Sequence, residues 1–310
     1  MTHDPVDLSR YPFSRPFGRE EQEVLLADPE NLHAVQPGEV LIREGEHDRD
    51  MWLLLAGRYV VIKQVQPHFP LGTLQEGGFC GEIAWFTGQA RTASIIATEP
   101  GLALRLPFAR REELAETLLV KVYHNVLADV SKRKIYMNQI LFRLAELEQA
   151  HYGASPMSSP VGYIKGGAFF EGFTPEQERL LRALPPGLER FRAGDRVFSQ
   201  GERDDAVFIL LRGSVMVTMR EAPDMPLIHL GPERVVGMDA LFGHAHDNHC
   251  VATETCEGLR ISLAALESLD ATCRLSFYWQ VAVSLINRLA SLNLARIKLE
   301  HMEGKMWFGG

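Results

Sequence analysis

Two opposite charges in one glycine-punctuated string offer the most specific chemistry in this chain: Phe79-Cys80-Gly81-Glu82-Ile83-Ala84-Trp85-Phe86-Thr87-Gly88-Gln89-Ala90-Arg91-Thr92-Ala93-Ser94. Glu82 is a carboxylate suited to accepting hydrogen bonds from a sugar hydroxyl. Arg91 carries a planar guanidinium fork that matches the oxygens of a phosphate. Gly81 has no side chain to keep its backbone away from a ligand. Ile83-Ala84-Trp85-Phe86 reads as the start of a short helix whose free N–H groups would face an anion. Thr92 adds a hydroxyl beside the arginine. Taken alone, Glu82 and Arg91 could equally be an ion pair across a turn, which is common and contributes little.

The elements that must position this string recur along the chain. Pro37-Gly38-Glu39-Val40-Leu41-Ile42-Arg43-Glu44-Gly45-Glu46 returns as Ala193-Gly194-Asp195-Arg196-Val197-Phe198-Ser199-Gln200-Gly201-Glu202, and Met51 to Gly57 returns as Val207 to Gly213. Gly38/Gly194, Gly45/Gly201, Gly57/Gly213 and Gly81/Gly237 share one offset of 156, so the chain is a duplication. Within each copy, β-rich runs such as Val40–Ile42, Trp52–Leu55 and Tyr59–Ile62 are bounded by glycine turns. Evenly spaced short strands predict an antiparallel barrel or jelly roll. A long helix follows each copy. Tyr123, Leu127, Val130, Lys134, Met137, Leu141 and Leu144 form a stripe that recurs as Tyr278, Ala282, Leu285, Leu289, Leu292, Arg296 and Leu299. That second stripe lies at an offset of 155, which places a one-residue deletion near Cys256. The heptad spacing suits pairing with a partner helix, within the chain as a pseudo-dimer or between two chains; packing on the barrel is the alternative. The predicted organisation is an N-terminal arm over 1–16, a first domain over 17–150, a Gly/Ser/Pro-rich linker over 151–172 and a second domain over 173–310. The fold class is mainly β with flanking α.

Gly81-Glu82-Ile83-Ala84 followed by Arg91-Thr92-Ala93-Ser94 resembles the phosphate-binding cassette of the cyclic-nucleotide-binding domain family. That family shows Gly-Glu-(Leu/Ile)-Ala, a few residues including a glycine, then Arg-x-Ala-(Thr/Ser). Ala90 stands where proline is frequent and Trp85 where leucine is usual. The resemblance spans about Phe17 to Leu147 and again about Phe173 to Met302. It implies that Glu82 holds the ribose 2′-OH and Arg91 the cyclic phosphate. Gly81 and the backbone at Ile83 and Ala84 would assist, with Thr92 and Ala93 through side chain and backbone. The family closes the base with the helix after the barrel, which would put Met137 and Asn138 against the purine; an Asn amide both donates to and accepts from a base edge. Met137 also lies on the helix stripe, where it would simply pack. Arg-Thr-Ala is similar to members that read guanine through the threonine, yet bacterial-looking cassettes with Ser or Thr also take cAMP. The expected regulatory ligand is cAMP, with cGMP as the alternative, and a bacterial source is expected.

The second copy carries Gly237-Met238-Asp239-Ala240-Leu241-Phe242-Gly243-His244-Ala245-His246-Asp247-Asn248-His249-Cys250. At an offset of 156, Glu82 becomes Met238 and Arg91 becomes Asp247. A carboxylate beside a cyclic phosphate is repulsive, so this copy is expected not to bind nucleotide. Val236 to Ala240 resembles the oxygen-sensing regulators of the same superfamily, whose iron–sulfur cysteine cluster has no counterpart here. His244, His246, His249 and Cys250 could in principle hold zinc, but the expected reading is a decayed polar loop and no metal.

Composition narrows the function classes. The net charge is −8, and the one dense basic cluster, Lys132-Arg133-Lys134, reads as a solvated helix face, so direct DNA binding is not expected. Apolar residues make up 46% and charged residues 23%, the balance of a globular protein with a real core. No apolar run is long enough to span a membrane, and Met1 to Gln22 lacks the apolar core of a signal peptide. The four cysteines, without a CxxC pair, read as reduced thiols in a cytoplasm. No nucleophile–base arrangement can be placed, so the chain is not expected to be an enzyme. Tandem copies without an effector domain resemble the regulatory subunit of cAMP-dependent protein kinase, although the segment before Phe17 lacks its Arg-Arg-x-x pseudosubstrate. The leading expectation is a cytoplasmic sensor that signals through helix rearrangement to a protein partner. The alternatives are a ligand-free interaction scaffold and a transcription regulator that borrows a separate DNA-binding partner.

Overall fold

The structure is a computed structural model that describes residues 6–64, 70–152 and 169–307. Most of the Gly/Ser/Pro-rich linker, residues 153–168, lies outside the described residues, as do the side chains of Leu144 and Leu299. Two compact units are formed, Met1–Asp129 and Val130–Gly310.

The first unit holds eight strands: β1 (Leu32–Val35), β2 (Val40–Ile42), β3 (Met51–Ala56), β4 (Arg58–Ile62), β5 (Gly72–Gln75), β6 (Phe79–Cys80), β7 (Ser94–Ala97) and β8 (Gly101–Leu106). They pair antiparallel as two four-stranded sheets, β1-β8-β3-β6 and β2-β7-β4-β5, the jelly-roll arrangement expected from the strand spacing. Val35, Ile42, Leu54, Tyr59, Ile95 and Ala103 fill the core. Gly57 turns β3 into β4 at φ 91°, and a Cβ there would come within 2.8 Å of Gly101 Cα. No other residue fits that turn. α1 (Arg19–Leu25) precedes the sheets and α2 (Glu82–Thr87) sits between β6 and β7.

The second unit repeats the plan with β9 (Pro186–Phe191), β10 (Arg196–Phe198), β11 (Ala206–Arg212), β12 (Val215–Met219), β13 (Ala222–Leu230), β14 (Val235–Val236), β15 (His249–Ala252) and β16 (Cys256–Ser262), in sheets β14-β11-β16-β9 and β10-β15-β12-β13. The long helix α3 (Glu116–Tyr152) belongs to the first unit up to Asp129 and to the second from Val130. In the second unit follow α4 (Pro175–Arg182), started by a Thr174/Gln177 capping box, then α5 (Leu263–Glu267) and α6 (Ala271–Trp307).

Two expectations change here. The one-residue deletion does not lie near Cys256. Val40↔Ile96 and Ile42↔Ile95 pair in the first copy, and Arg196↔Val251 and Phe198↔Cys250 in the second. The offset is therefore already 155 at β15. The missing residue falls inside the cassette, where six-residue α2 is replaced by a five-residue 3-10 turn, Met238–Phe242, between glycines at φ 74° and 66°. The basic cluster is not wholly solvated: Lys132 is exposed, but the Lys134 side chain is 2% exposed. Val130, Lys134, Met137 and Leu141 of the stripe are buried, and Phe142 beside them packs on a β-sheet, with Met219, Met225 and Leu227 of β12 and β13. The four cysteines are free and buried.

Candidate functional site

In the first unit, two glycines at positive φ, Gly81 (87°) and Gly88 (69°), bracket α2 and allow the chain to enter and leave one short helical turn. Gly81 is irreplaceable on two counts. Its φ is left-handed, and a Cβ would sit 2.6 Å from the Asp50 carbonyl oxygen and 2.7 Å from Arg91 Nη1. Glu82 is buried at the first turn of α2, with Ala84, Trp85 and Phe86 buried behind it. Trp85 packs edge-on against Phe108 at 5.1 Å, and Phe86 against Tyr123 at 4.9 Å. The Arg49 guanidinium caps the far end, donating to the Ala84 and Trp85 carbonyls at 3.2 and 2.7 Å while lying 3.6 Å over the Phe108 ring. The cassette is thus anchored on rigid aromatic packing.

Arg91 opens onto the same turn. Its backbone is fixed by two bonds: Gly45 N–H donates to Arg91 O at 2.9 Å, and Arg91 N–H to Glu46 O at 2.8 Å. Its guanidinium, 2% exposed, donates to both carboxylate oxygens of Asp48, through Nε at 3.0 Å and through Nη2, to Gly81 O at 3.0 Å and to Asp50 O at 2.5 Å. Four of the five guanidinium N–H groups are thereby used, and one on Nη1 has no partner among the described residues. Ile83, Thr92 and Ala93 are half-buried along the rim. The structure therefore brings together Gly81, Glu82, Ile83, Ala84, Arg91, Thr92 and Ala93 in one unit. A closely approached backbone, a buried carboxylate and a pre-oriented guanidinium are a donor and acceptor set that fits a sugar phosphate. Asp48, Arg49 and Asp50 were not singled out from the sequence. The repeat contained a signal for one of them, because Asp48 recurs at the fixed offset as Asp204.

Met137 and Asn138 fall in the second unit. Met137 is buried, and Asn138 Nδ2 donates to Asp247 Oδ2 at 2.7 Å. Here, then, Asn138 belongs to the second cassette.

The alignment of that cassette also needs correction. Gly201 N–H donates to His246 O at 2.8 Å and His246 N–H to Glu202 O at 2.9 Å, the same two bonds that Arg91 makes. The counterpart of Arg91 is therefore His246, and Asp247 stands in the place of Thr92; the shorter helical turn moved the register by one. His246 keeps the arginine's partner: its Nε2 lies 3.2 Å from Asp204 Oδ1, and its ring stacks on Phe198 at 4.0 Å. Burial pushes the Asp204 carboxyl up, but His246 beside it outweighs this and holds it below its ordinary value. Lys134 Nζ donates to Asp239 Oδ1 at 2.7 Å and to Asp247 Oδ1 at 3.0 Å. Ser131 Oγ donates to Asp239 Oδ1 at 3.0 Å. Burial alone would raise Asp239, and the Lys134 charge reverses it, so that carboxyl sits below its usual range. The histidines are used singly; His249 Nδ1 accepts from Gln200 N–H at 3.0 Å. Among the described residues no cluster of three or more His, Cys, Asp or Glu could hold a metal ion. No described helix is long and apolar enough to cross a membrane.

A model of the family described as "Cyclic nucleotide-binding domain" matches residues 32–117 and 188–273, more than half of the chain. Among solved structures, the chain is similar to the regulatory domain of Toxoplasma gondii PKA crystallised with cAMP, at 15% identity, covering 86% of this chain and 90% of that one with a TM-score of 0.30. It is also similar to the regulatory subunit of a cAMP-independent protein kinase A from Trypanosoma brucei, at 18% identity over 74% and 71% with a TM-score of 0.28. A putative cyclic nucleotide-binding protein from Geobacter metallireducens matches at 19% identity over 41% of this chain and 97% of that one, with a TM-score of 0.35. No residue assignment rests on these likenesses.

Proposed function

The chain belongs to the cyclic nucleotide-binding domain family, of which it carries two copies, and from that premise we propose that only the first copy binds a cyclic nucleotide, cAMP in preference to cGMP. One observation carries the reading: a buried Arg91 guanidinium, aimed by Asp48 and held against the Gly81 backbone, shares a turn with the buried Glu82 carboxylate. Arg91 would receive the cyclic phosphate and Glu82 the ribose 2′-OH, with Ile83, Ala84, Thr92 and Ala93 lining the rim. Asp48 has to yield part of the fork or leave the phosphate the remaining Nη1 donor. Charge-assisted bonds of this kind are the strong ones in a site closed from water. The second copy, with Met238 and His246 where the first has Glu82 and Arg91, is a silent relative of the same fold.

The role is binding and regulation, not catalysis. Met137 and Asn138 remain the groups that would cover the base, which requires Asn138 to leave Asp247. Movement of α3 would then be passed to a protein partner, with no direct contact to DNA. Isothermal titration with cAMP and cGMP tests this. One site per chain, lost in Arg91→Ala, is the expected result, and heat that survives that substitution would sink the site assignment.

A second reading has its own observation. Asp48 already takes two of the five Arg91 N–H groups, and the Gly81 and Asp50 carbonyls take two more, as in a structural ion pair. Absence of heat or thermal shift with either nucleotide would favour that reading, a constitutive interaction scaffold.

A further inference from the structure

Both carboxylates of the second cassette are almost fully buried, Asp239 at 4% and Asp247 at 6% side-chain exposure. Buried carboxylates are costly unless a cation and hydrogen bonds satisfy them. The satisfaction comes from one face of α3, where Ser131, Lys134 and Asn138 follow a 3,4 spacing. Lys134 Nζ lies between the two carboxylates, Ser131 donates to Asp239, and Asn138 donates to Asp247, which also receives the Asn248 amide at 2.5 Å. The buried Arg288 of α6 adds a further positive charge that acts on Asp239. In the first cassette, Ile83 and Thr92 replace the two aspartates, and in the second long helix Leu289 replaces Lys134.

We propose that the second cassette is a receptor for an ammonium group that the chain itself supplies, with Asp239 and Asp247 gripping the Ser131–Asn138 segment of α3 where the first cassette is built for a phosphate. The loss of the nucleotide residues is then an exchange of ligand, an anion for a tethered cation.

The grip is incomplete. Asn138 Oδ1 is buried with no hydrogen-bond partner among the described residues. Asp247 fixes the amide nitrogen, so the group cannot flip to rescue its oxygen. A buried unmade acceptor favours any alternative that satisfies it, such as a purine edge. Resting on the reading that Asn138 covers the base in the first copy, the two engagements exclude each other, because the donor serves either Asp247 or the base. The second cassette therefore withholds the lid, and nucleotide has to compete for it.

Two measurements on the full chain test this. The first is a thermal double-mutant cycle between Lys134→Met and the pair Asp239→Asn with Asp247→Asn. Each arm should lower Tm by about 10 °C, as breaking a buried ion pair does. The triple variant should fall well short of the added losses, and additive losses would overturn the receptor. Should Lys134→Met not fold, Lys134→Ala titrated with butylammonium replaces it. Recovery of Tm by the free amine, absent when Asp247 is also Asn, supports the receptor, and equal response in both overturns it. The second measurement is cAMP titration of Asp247→Asn against the unaltered chain. Affinity about tenfold tighter supports the withheld lid, and unchanged affinity overturns it. Absence of binding in both proteins defeats the first-copy reading and the competition with it, while the cycle still decides the receptor.

Discussion

The two cassettes share a backbone and differ in what they are charged to hold. In each, a left-handed glycine opens a helical turn, and the same pair of backbone bonds ties the following loop to a β-turn, through Arg91 in one and His246 in the other. In each, an aspartate at the same place, Asp48 or Asp204, faces the guanidinium or the imidazole that stands there. What differs is the lining. The first presents a guanidinium and a buried glutamate. The second presents two aspartates filled by Lys134. The two cassettes thus share one backbone frame, and a few side chains set the charge that lines it.

The largest effect should come from Arg91→Ala. Losing the charge-assisted fork should weaken cyclic nucleotide binding about a thousandfold, whereas His246→Ala should leave it unchanged; calorimetry on both variants decides whether one cassette is live. Next are the two glycines. Gly81→Ala meets the Asp50 carbonyl at 2.6 Å, while Gly237→Ala finds nothing nearer than 3.4 Å. Thermal melts should show about 3 kcal/mol lost for the first and about 1 kcal/mol for the second. Equal losses would mean the two turns are not packed as described.

Acid should separate the units further. The folded Asp239 carboxyl sits below its ordinary value of 3.8, so its contribution is complete above that value and fades as pH falls through the lower, folded one. Asp239→Asn should cost stability at neutral pH and flatten the acid limb of melts followed from pH 7 downward. A smaller contrast lies in the shared aspartates. Asp48→Ala strands a buried guanidinium and should cost about 2 kcal/mol; Asp204→Ala, which strands an imidazole, about 1 kcal/mol. Chemical denaturation reads both. The smallest expected effect is Thr92→Ala, which should alter the cAMP-to-cGMP affinity ratio about fivefold, the value of one hydrogen bond. An unchanged ratio would remove Thr92 from base selection.

Much of this was legible in the sequence. Glycines at a constant offset and the β-rich runs between them specified the duplication and the strands, because tight turns demand positive φ and strand periodicity leaves little choice. Gly81, Glu82 and Arg91 stand out through their resemblance to the family cassette, since their chemistry alone reads equally as an ion pair across a turn. Three things escaped. The counterpart of Arg91 was misassigned to Asp247, because a 3-10 turn can absorb a deletion without moving the flanking glycines. In the sequence Lys134 reads as part of a solvated face, since burial of a lysine depends on carboxylates more than a hundred positions away. The bond from Asn138 to Asp247 is likewise invisible in the sequence, as helix periodicity tells which face a residue occupies but not what that face meets.

The shortened turn at Met238–Phe242 also bears on the history of the chain. Substitutions at Met238 and His246 can be reversed one at a time, but the lost residue cannot, because point mutation does not add length. With that residue gone, Asp247 occupies the place of Thr92 and Asn248 that of Ala93. Changing bases alone therefore has no short path back to an anion pocket of the original geometry. The one-residue difference in length thus separates the two copies more firmly than any single substitution between them.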